Sequence, residues 1–174
     1  MFILDNNVLS HAFKNIKIES FPTFWYSLDK LIQTGEVVSS REVFRELEGF
    51  FVMSGKSDND VVTKWLKEHK HMFLTPTKED CKIVGQIFSK PHFKQLVKKH
   101  SLLNGNPEAD VFIIAQAVNF NAIVVTFEEF TKNGAKIPNV CKDFNVIFIG
   151  GDEFFRYVNN HFDDNLKDEY YGGY

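Results

Sequence analysis

Carboxylates follow the short apolar runs of this sequence with a regularity that points to chemistry. Asp5 comes directly after Phe2-Ile3-Leu4. Glu42 and Glu46 lie one helical turn apart after Val37-Val38-Ser39. Asp110 opens the apolar stretch Val111–Val118, and Glu128 and Glu129 follow Val124-Val125-Thr126. Carboxylates gathered within a few ångström raise one another's pKa, and they stay ionised together at neutral pH when a cation sits among them. A site built only of oxygen ligands favours Mg2+ or Mn2+ over zinc. Such an ion acidifies a water and offsets charge on phosphate oxygens, so the chemistry that suits this arrangement is phosphodiester hydrolysis. Taken singly, each acid reads as a solvated surface residue. Asp110 also suits a helix N-terminus, and Glu42 and Glu46 can pair with a neighbour such as Arg45.

Those acids converge only if the apolar runs are strands of one sheet. Phe2–Leu4, Val37–Ser39, Met72–Leu74, Ala122–Val125 and Val146–Ile149 read as short buried strands. Between them the spacing predicts helices over 22–34, with Pro22 in the first turn and Gly35 at the end, and over 41–50. Further helices are expected from the polar connector 54–59 to about Lys70, over 77–88, and over 91–100. The turn Asn104-Gly105-Asn106-Pro107 leads into another, with Asn106 as N-cap, that runs to about Asn119. This last helix is apolar nearly all round, which makes it central. Strands alternating with helices imply parallel pairing and an α/β sandwich, whose ligands bind beyond the carboxyl ends of the strands.

The 174 residues fit one domain, and 44% hydrophobic with 25% charged residues is a globular composition. The 19 phenylalanines read as a bulky core. Net charge is −3, but it is unevenly spread. From Lys64 to Lys99 nine lysines face Glu68, Glu79 and Asp80, whereas from Asp152 to Glu169 six acids face Arg156 and Lys167. Such a field can draw a polyanion to one face. Lys94, Lys98 and Lys99 are candidates for phosphate contact, and Phe93 for stacking on a base. Two cysteines without a C-x-x-C pattern indicate free thiols in a reducing compartment. With no secretory signal and no membrane span visible, a cytoplasmic protein is expected.

At Leu4-Asp5-Asn6-Asn7-Val8-Leu9 the chain resembles the opening signature of PIN domains, L-D-T-N-V-L. Val38-Ser39 with Glu46-Leu47 resembles the second motif. Asp110 with Ile113-Ile114-Ala115-Gln116-Ala117 resembles the third, and Val124–Phe130 the fourth. Lys136-Ile137-Pro138-Asn139-Val140-Cys141 is similar to a segment of one small prokaryotic subfamily of stand-alone PIN proteins. The resemblance runs from about residue 1 to 150. It implies a nuclease domain over 1–160, followed by an acidic, tyrosine-containing tail over 161–174.

The fold it implies is a three-layer α/β/α sandwich with a five-stranded parallel sheet. The implied activity is Mg2+- or Mn2+-dependent endoribonuclease cleavage, in which water attacks phosphorus in line and leaves a 5′-phosphate and a 3′-hydroxyl. Asp5, Glu46, Asp110 and Glu128 carry over as catalytic, metal-binding acids. Thr126 would orient a carboxylate or water, and Asn7 would hydrogen-bond near Asp5. Glu42 and Glu129 stand as substitutes for Glu46 and Glu128. The resemblance also implies an RNA substrate, a toxin–antitoxin role with a cognate antitoxin protein, and a homodimer. Asn6 departs from the family's usual threonine or serine, and Glu128 from its commoner aspartate.

Two other functions compete. One is a PIN-fold module of weak activity that binds RNA or a protein partner. The other is an aspartyl-phosphate enzyme of the haloacid dehalogenase type, which needs a second acid two residues after Asp5, where this chain has Asn7.

Overall fold

A computed structural model describes residues 1–53, 60–96 and 109–161. The five strands are β1 (Phe2–Leu4), β2 (Val37–Ser40), β3 (Phe73–Leu74), β4 (Ile123–Thr126) and β5 (Phe148–Gly150). They form one parallel sheet in the order β3-β2-β1-β4-β5. The helices are α1 (Asn6–Asn15), α2 (Pro22–Gln33), α3 (Arg41–Met53), α4 (Val61–Glu68), α5 (Lys78–Ser89), α6 (Ala109–Phe120), α7 (Ile137–Asp143) and α8 (Gly151–Asn160). Short 3-10 turns cover Lys70–Met72 and Pro91–Leu96. The chain is thus a three-layer α/β/α sandwich around a five-stranded parallel sheet.

Local sequence explains the element ends. Pro22 occupies the first turn of α2, where its missing N–H costs nothing, and Gly35 at φ +74° turns the chain into β2. Thr77 and Asp80 form a reciprocal capping box at the start of α5. Asp80 is fully buried and also accepts a hydrogen bond from Asn119, which ties α5 to α6. The all-round apolar helix is central, as its composition predicts: α6 buries Val111, Ile113, Ile114, Ala115 and Ala117 and packs on β1, β2 and β4. On the opposite face α2 packs against α8. There Trp25 stacks on Phe13 and meets Trp65 edge-on, so aromatic rings join α1, α2 and α4.

Some boundaries differ from the sequence reading. Helix α1 was not anticipated, because its polar Asn6, Asn7 and Ser10 mask the buried stripe Val8, Leu9 and Ala12. Pro91–Leu96 is a 3-10 turn where the start of a helix was expected, and the rest of that expected helix, 97–100, lies outside the described residues. β5 begins at Phe148 rather than at Val146. The connector 54–59, the turn 104–107 with its Asn106 cap, Lys98, Lys99 and the tail from residue 162 lie outside the described residues. Cys81 and Cys141 are free. Among the described residues no helix is long and apolar enough to cross a membrane.

Candidate active site

The strand order places a topological switch between β1 and β4: the chain moves outward through β2 and β3 on one side, then through β4 and β5 on the other. In open parallel sheets the crevice at that point is where ligands bind. The register pairs Leu4 with Ser39 of β2 and with Val125 of β4, so Asp5 leaves the sheet between Ser40 and Thr126. Its N–H still donates to the Val125 carbonyl at 3.0 Å. Asp5 is the residue before α1, and its side chain is 3% exposed.

A polar network fixes this carboxylate. The Thr126 hydroxyl donates to Asp5 Oδ2 at 2.8 Å. Thr126 Oγ1 in turn accepts from Asn7 Nδ2 at 3.1 Å and from the Glu128 N–H at 3.0 Å. Asn7 Oδ1 accepts from the Phe127 N–H at 3.0 Å, so Asn7 clamps the chain that follows β4 onto α1. The positions expected of Thr126 and Asn7 beside Asp5 agree with these bonds. Glu128 is half-buried, and its Oε2 accepts from the Ile137 N–H at 2.9 Å. That donor is in the first turn of α7, whose N–H groups have no partner within the helix. The Lys136–Cys141 segment therefore has a local task, which is to anchor Glu128.

Glu46 reaches the same rim from α3. Its Oε2 accepts from Asn6 Nδ2 at 2.8 Å and its Oε1 from the Ala109 N–H at 3.2 Å. Asn6 Oδ1 accepts from Ser10 at 2.9 Å. Asn6 thus links α1 to Glu46. Asp110 follows Ala109 in the first turn of α6 and is half-buried.

Burial pushes the Asp5 carboxyl up to about 7, and the charges of Glu128 and Glu46 add to the rise. The Thr126 hydroxyl and the Asn6 N–H act in the opposite direction but do not cancel it. The donors at this rim are oxygen atoms only, which is the chemistry a hard divalent cation takes. They fit such an ion in kind. In position, no three acidic, histidine or cysteine side chains among the described residues are gathered as a ready ligand set.

Three sequence expectations change. Glu42 is buried (3% exposed), but it pairs with Arg41 and Arg45 at 2.8 Å each and so does not stand in for Glu46. The Glu129 side chain is exposed, whereas Glu128 carries the contacts. Phe93 is 6% exposed within the core, so its ring has no free face for a base. Among the lysines of the basic stretch, Lys90 is paired with Asp143 and Lys82 with Glu79, while Lys94 is exposed. The roles of Asn6 and Arg41 were not anticipated. For Arg41 a signal was present: Glu42 has an arginine at the preceding position and another three residues on.

Fold and site together define an α/β protein with a buried aspartate at the switch point of a parallel sheet. Residues 2–162 match the family described as a domain of unknown function (DUF4411), and the chain belongs to that family. No curated protein matches the chain.

Proposed function

We propose that this protein is a divalent-cation-dependent endoribonuclease of PIN-like type, acting at the rim formed by Asp5, Glu46, Asp110 and Glu128. One observation carries the reading. Asp5 is sealed from solvent at the point where parallel sheets bind ligands, with other carboxylates close enough to raise its pKa and, among the described residues, with no basic side chain in its hydrogen bonds. A carboxylate in that setting is neutralised by a proton or by a cation.

Asp5 and the acids around it would hold Mg2+ or Mn2+, and that ion would supply charge to acidify a water and to offset the developing charge on phosphate. The chain's own residues do the positioning. Thr126 fixes one Asp5 oxygen, Asn7 fixes Thr126, Asn6 and the Ala109 N–H fix Glu46, and the Ile137 N–H fixes Glu128. The four-motif resemblance extends the proposal to a cytoplasmic toxin of a toxin–antitoxin pair, blocked by a protein antitoxin and active as a homodimer.

The test is cleavage of end-labelled single-stranded RNA in Mn2+ and in EDTA, with wild type and Asp5→Asn purified in parallel. We expect Mn2+-dependent cleavage that leaves 5′-phosphate ends and falls about 10³-fold in the variant. Equal rates would expose a contaminant and remove the proposal. A second reading, an RNA- or protein-binding module of weak activity, is favoured by the hydrogen bonds already placed on Glu46 and Glu128. RNA binding without cleavage in any divalent cation would establish it instead.

A further inference from the structure

We propose that Arg41 and Arg45 form a fork that grips the phosphodiester backbone of single-stranded RNA beside the Asp5 rim, held in shape by buried Glu42. This deepens the nuclease reading and rests on its choice of substrate. The geometry begins with β2, whose last residue, Ser40, is followed at once by Arg41 in the first turn of α3. Because Leu4 is in register with Ser39, Arg41 emerges on the same edge of the sheet as Asp5, one strand away.

Arg41 donates through Nε at 3.1 Å and Nη2 at 2.8 Å to a single Glu42 oxygen, Oε1. Arg45 donates through Nη1 to Oε2 at 2.8 Å. The carboxylate is thus spanned by a guanidinium on each oxygen. The Glu42 N–H also has a partner, Ser40 Oγ, at 3.4 Å.

Charge and exposure separate this arrangement from an ordinary structural ion pair. One arginine suffices to neutralise one carboxylate, but two converge here, and a formal positive charge is left over. The carboxylate is 3% exposed, whereas the Arg41 and Arg45 side chains are 39% and 57% exposed. The planar guanidinium has five donors, so each arginine keeps N–H groups beyond those spent on Glu42. Fixing both groups through a buried anchor lowers the ordering cost of binding a further anion.

Placement does the rest. Arg41 and Arg45 are one helical turn apart on α3, and Glu46 adjoins Arg45. A polyanion drawn along the rim meets carboxylates at Asp5, Glu46 and Glu128, which repel it. The fork supplies a fixed attraction at the border of that field. Phosphate is the fitting ligand because arginine donors match its oxygens in a bidentate way. The contact reads backbone rather than base, so it orients RNA without selecting sequence.

The experiment is fluorescence anisotropy with a short, unstructured, labelled RNA, using the full chain carrying Asp5→Asn, in EDTA, across about 50–200 mM salt. Removing the arginines alone would strand Glu42 and risk unfolding. The variant is therefore Arg41→Gln, Glu42→Gln and Arg45→Gln together, with Glu42→Gln alone as its partner and circular dichroism as the check on folding. We expect the triple variant to bind about tenfold more weakly and its log–log salt slope to fall by about 1.4, at about 0.7 per lost phosphate contact. Glu42→Gln alone should keep the full slope. An unchanged slope in the folded triple variant overturns the proposal, and so does a parent Asp5→Asn chain that binds no RNA at low salt. Because binding is read without a cation and without Asp5, arginine-dependent binding by a protein that never cleaves would support the fork while the nuclease reading fails.

Discussion

Two carboxylates are sealed from solvent at the carboxyl edge of the sheet, Asp5 after β1 and Glu42 at the start of α3, each 3% exposed. Asp5 has a threonine hydroxyl and a backbone N–H for partners, and its charged neighbours are other acids. Glu42 has a guanidinium on each oxygen. Burial of a charge is costly unless the charge is paired. Glu42 meets that requirement from within the chain, and its task lies in what it holds. Asp5 does not, and its unmet requirement is what a bound cation would supply. The same residue class at the same depth is thus ion-paired in one place and without a cationic partner among the described residues in the other, and the difference lies in the neighbours.

The largest expected effects are on stability, and they have opposite signs. Replacing Arg41 and Arg45 together by alanine leaves Glu42 buried without a cation and should cost about 3–5 kcal/mol, a fall of about 10 °C in Tm. Asp5→Asn should stabilise the cation-free protein by about 1–2 kcal/mol at pH 8, part of the gain being lost because an amide satisfies the Asp5 partners less well. The folded carboxyl titrates at about 7, above its ordinary 3.8, so its ionisation removes stability as pH rises from about 4 to 7. The variant's advantage should therefore shrink as pH falls and reverse near pH 4, where only the poorer hydrogen bonding of the amide remains. Urea titrations in EDTA at both pH values check this. A destabilised Asp5→Asn at pH 8 would break the contrast.

A smaller effect sharpens it. Thr126→Val removes the hydroxyl that fixes Asp5 and should lower the proposed nuclease activity about 10–100-fold while leaving the fold intact. Thr126→Ser keeps the donor and should recover most of that loss. Failure of serine to rescue would assign the effect to packing.

The smallest effect concerns a region away from the Asp5 rim. His69 bridges α4 and α2: Nδ1 faces the Trp65 carbonyl at 2.9 Å and Nε2 faces Asp29 at 3.1 Å. Both partners accept, so the protonated ring can donate to both at once. Burial lowers its pKa, but the Asp29 carboxylate and the Trp65 carbonyl outweigh that and leave it raised. The stability this contact gives is full below pH 6.5 and is lost as pH rises through the raised value. Relative to His69→Gln, wild type should lose about 2–4 °C in Tm across that rise. Parallel curves would show that His69 carries no such linkage.

Much of the architecture could be read from the chain because each strand is a compact apolar block and α6 is apolar on every side. Parallel strands then oblige residues that follow them to share one edge, which is why Asp5 and Glu128 could be placed before any coordinates. What could not be read depends on distances between segments. Glu42 and Glu46 share a helical face, and only the arginine contacts separate a buried structural acid from a rim acid. Phe93 sits in a lysine-rich run whose average polarity hides one ring turned into the core. Asn6 looked like a flaw in a motif until its amide was found on Glu46, 40 positions away.

The central claim is that Asp5 is a buried charge which a divalent cation completes. Thermal unfolding of wild type and Asp5→Asn with saturating Mn2+, at pH 6 and pH 8, tests it most directly. The account predicts a rise in wild-type Tm with Mn2+ that is larger at pH 8, where the ion meets less competition from the Asp5 proton, and no rise in the variant. An equal rise in Asp5→Asn, or a wild-type Tm that Mn2+ does not move at pH 8, would contradict it.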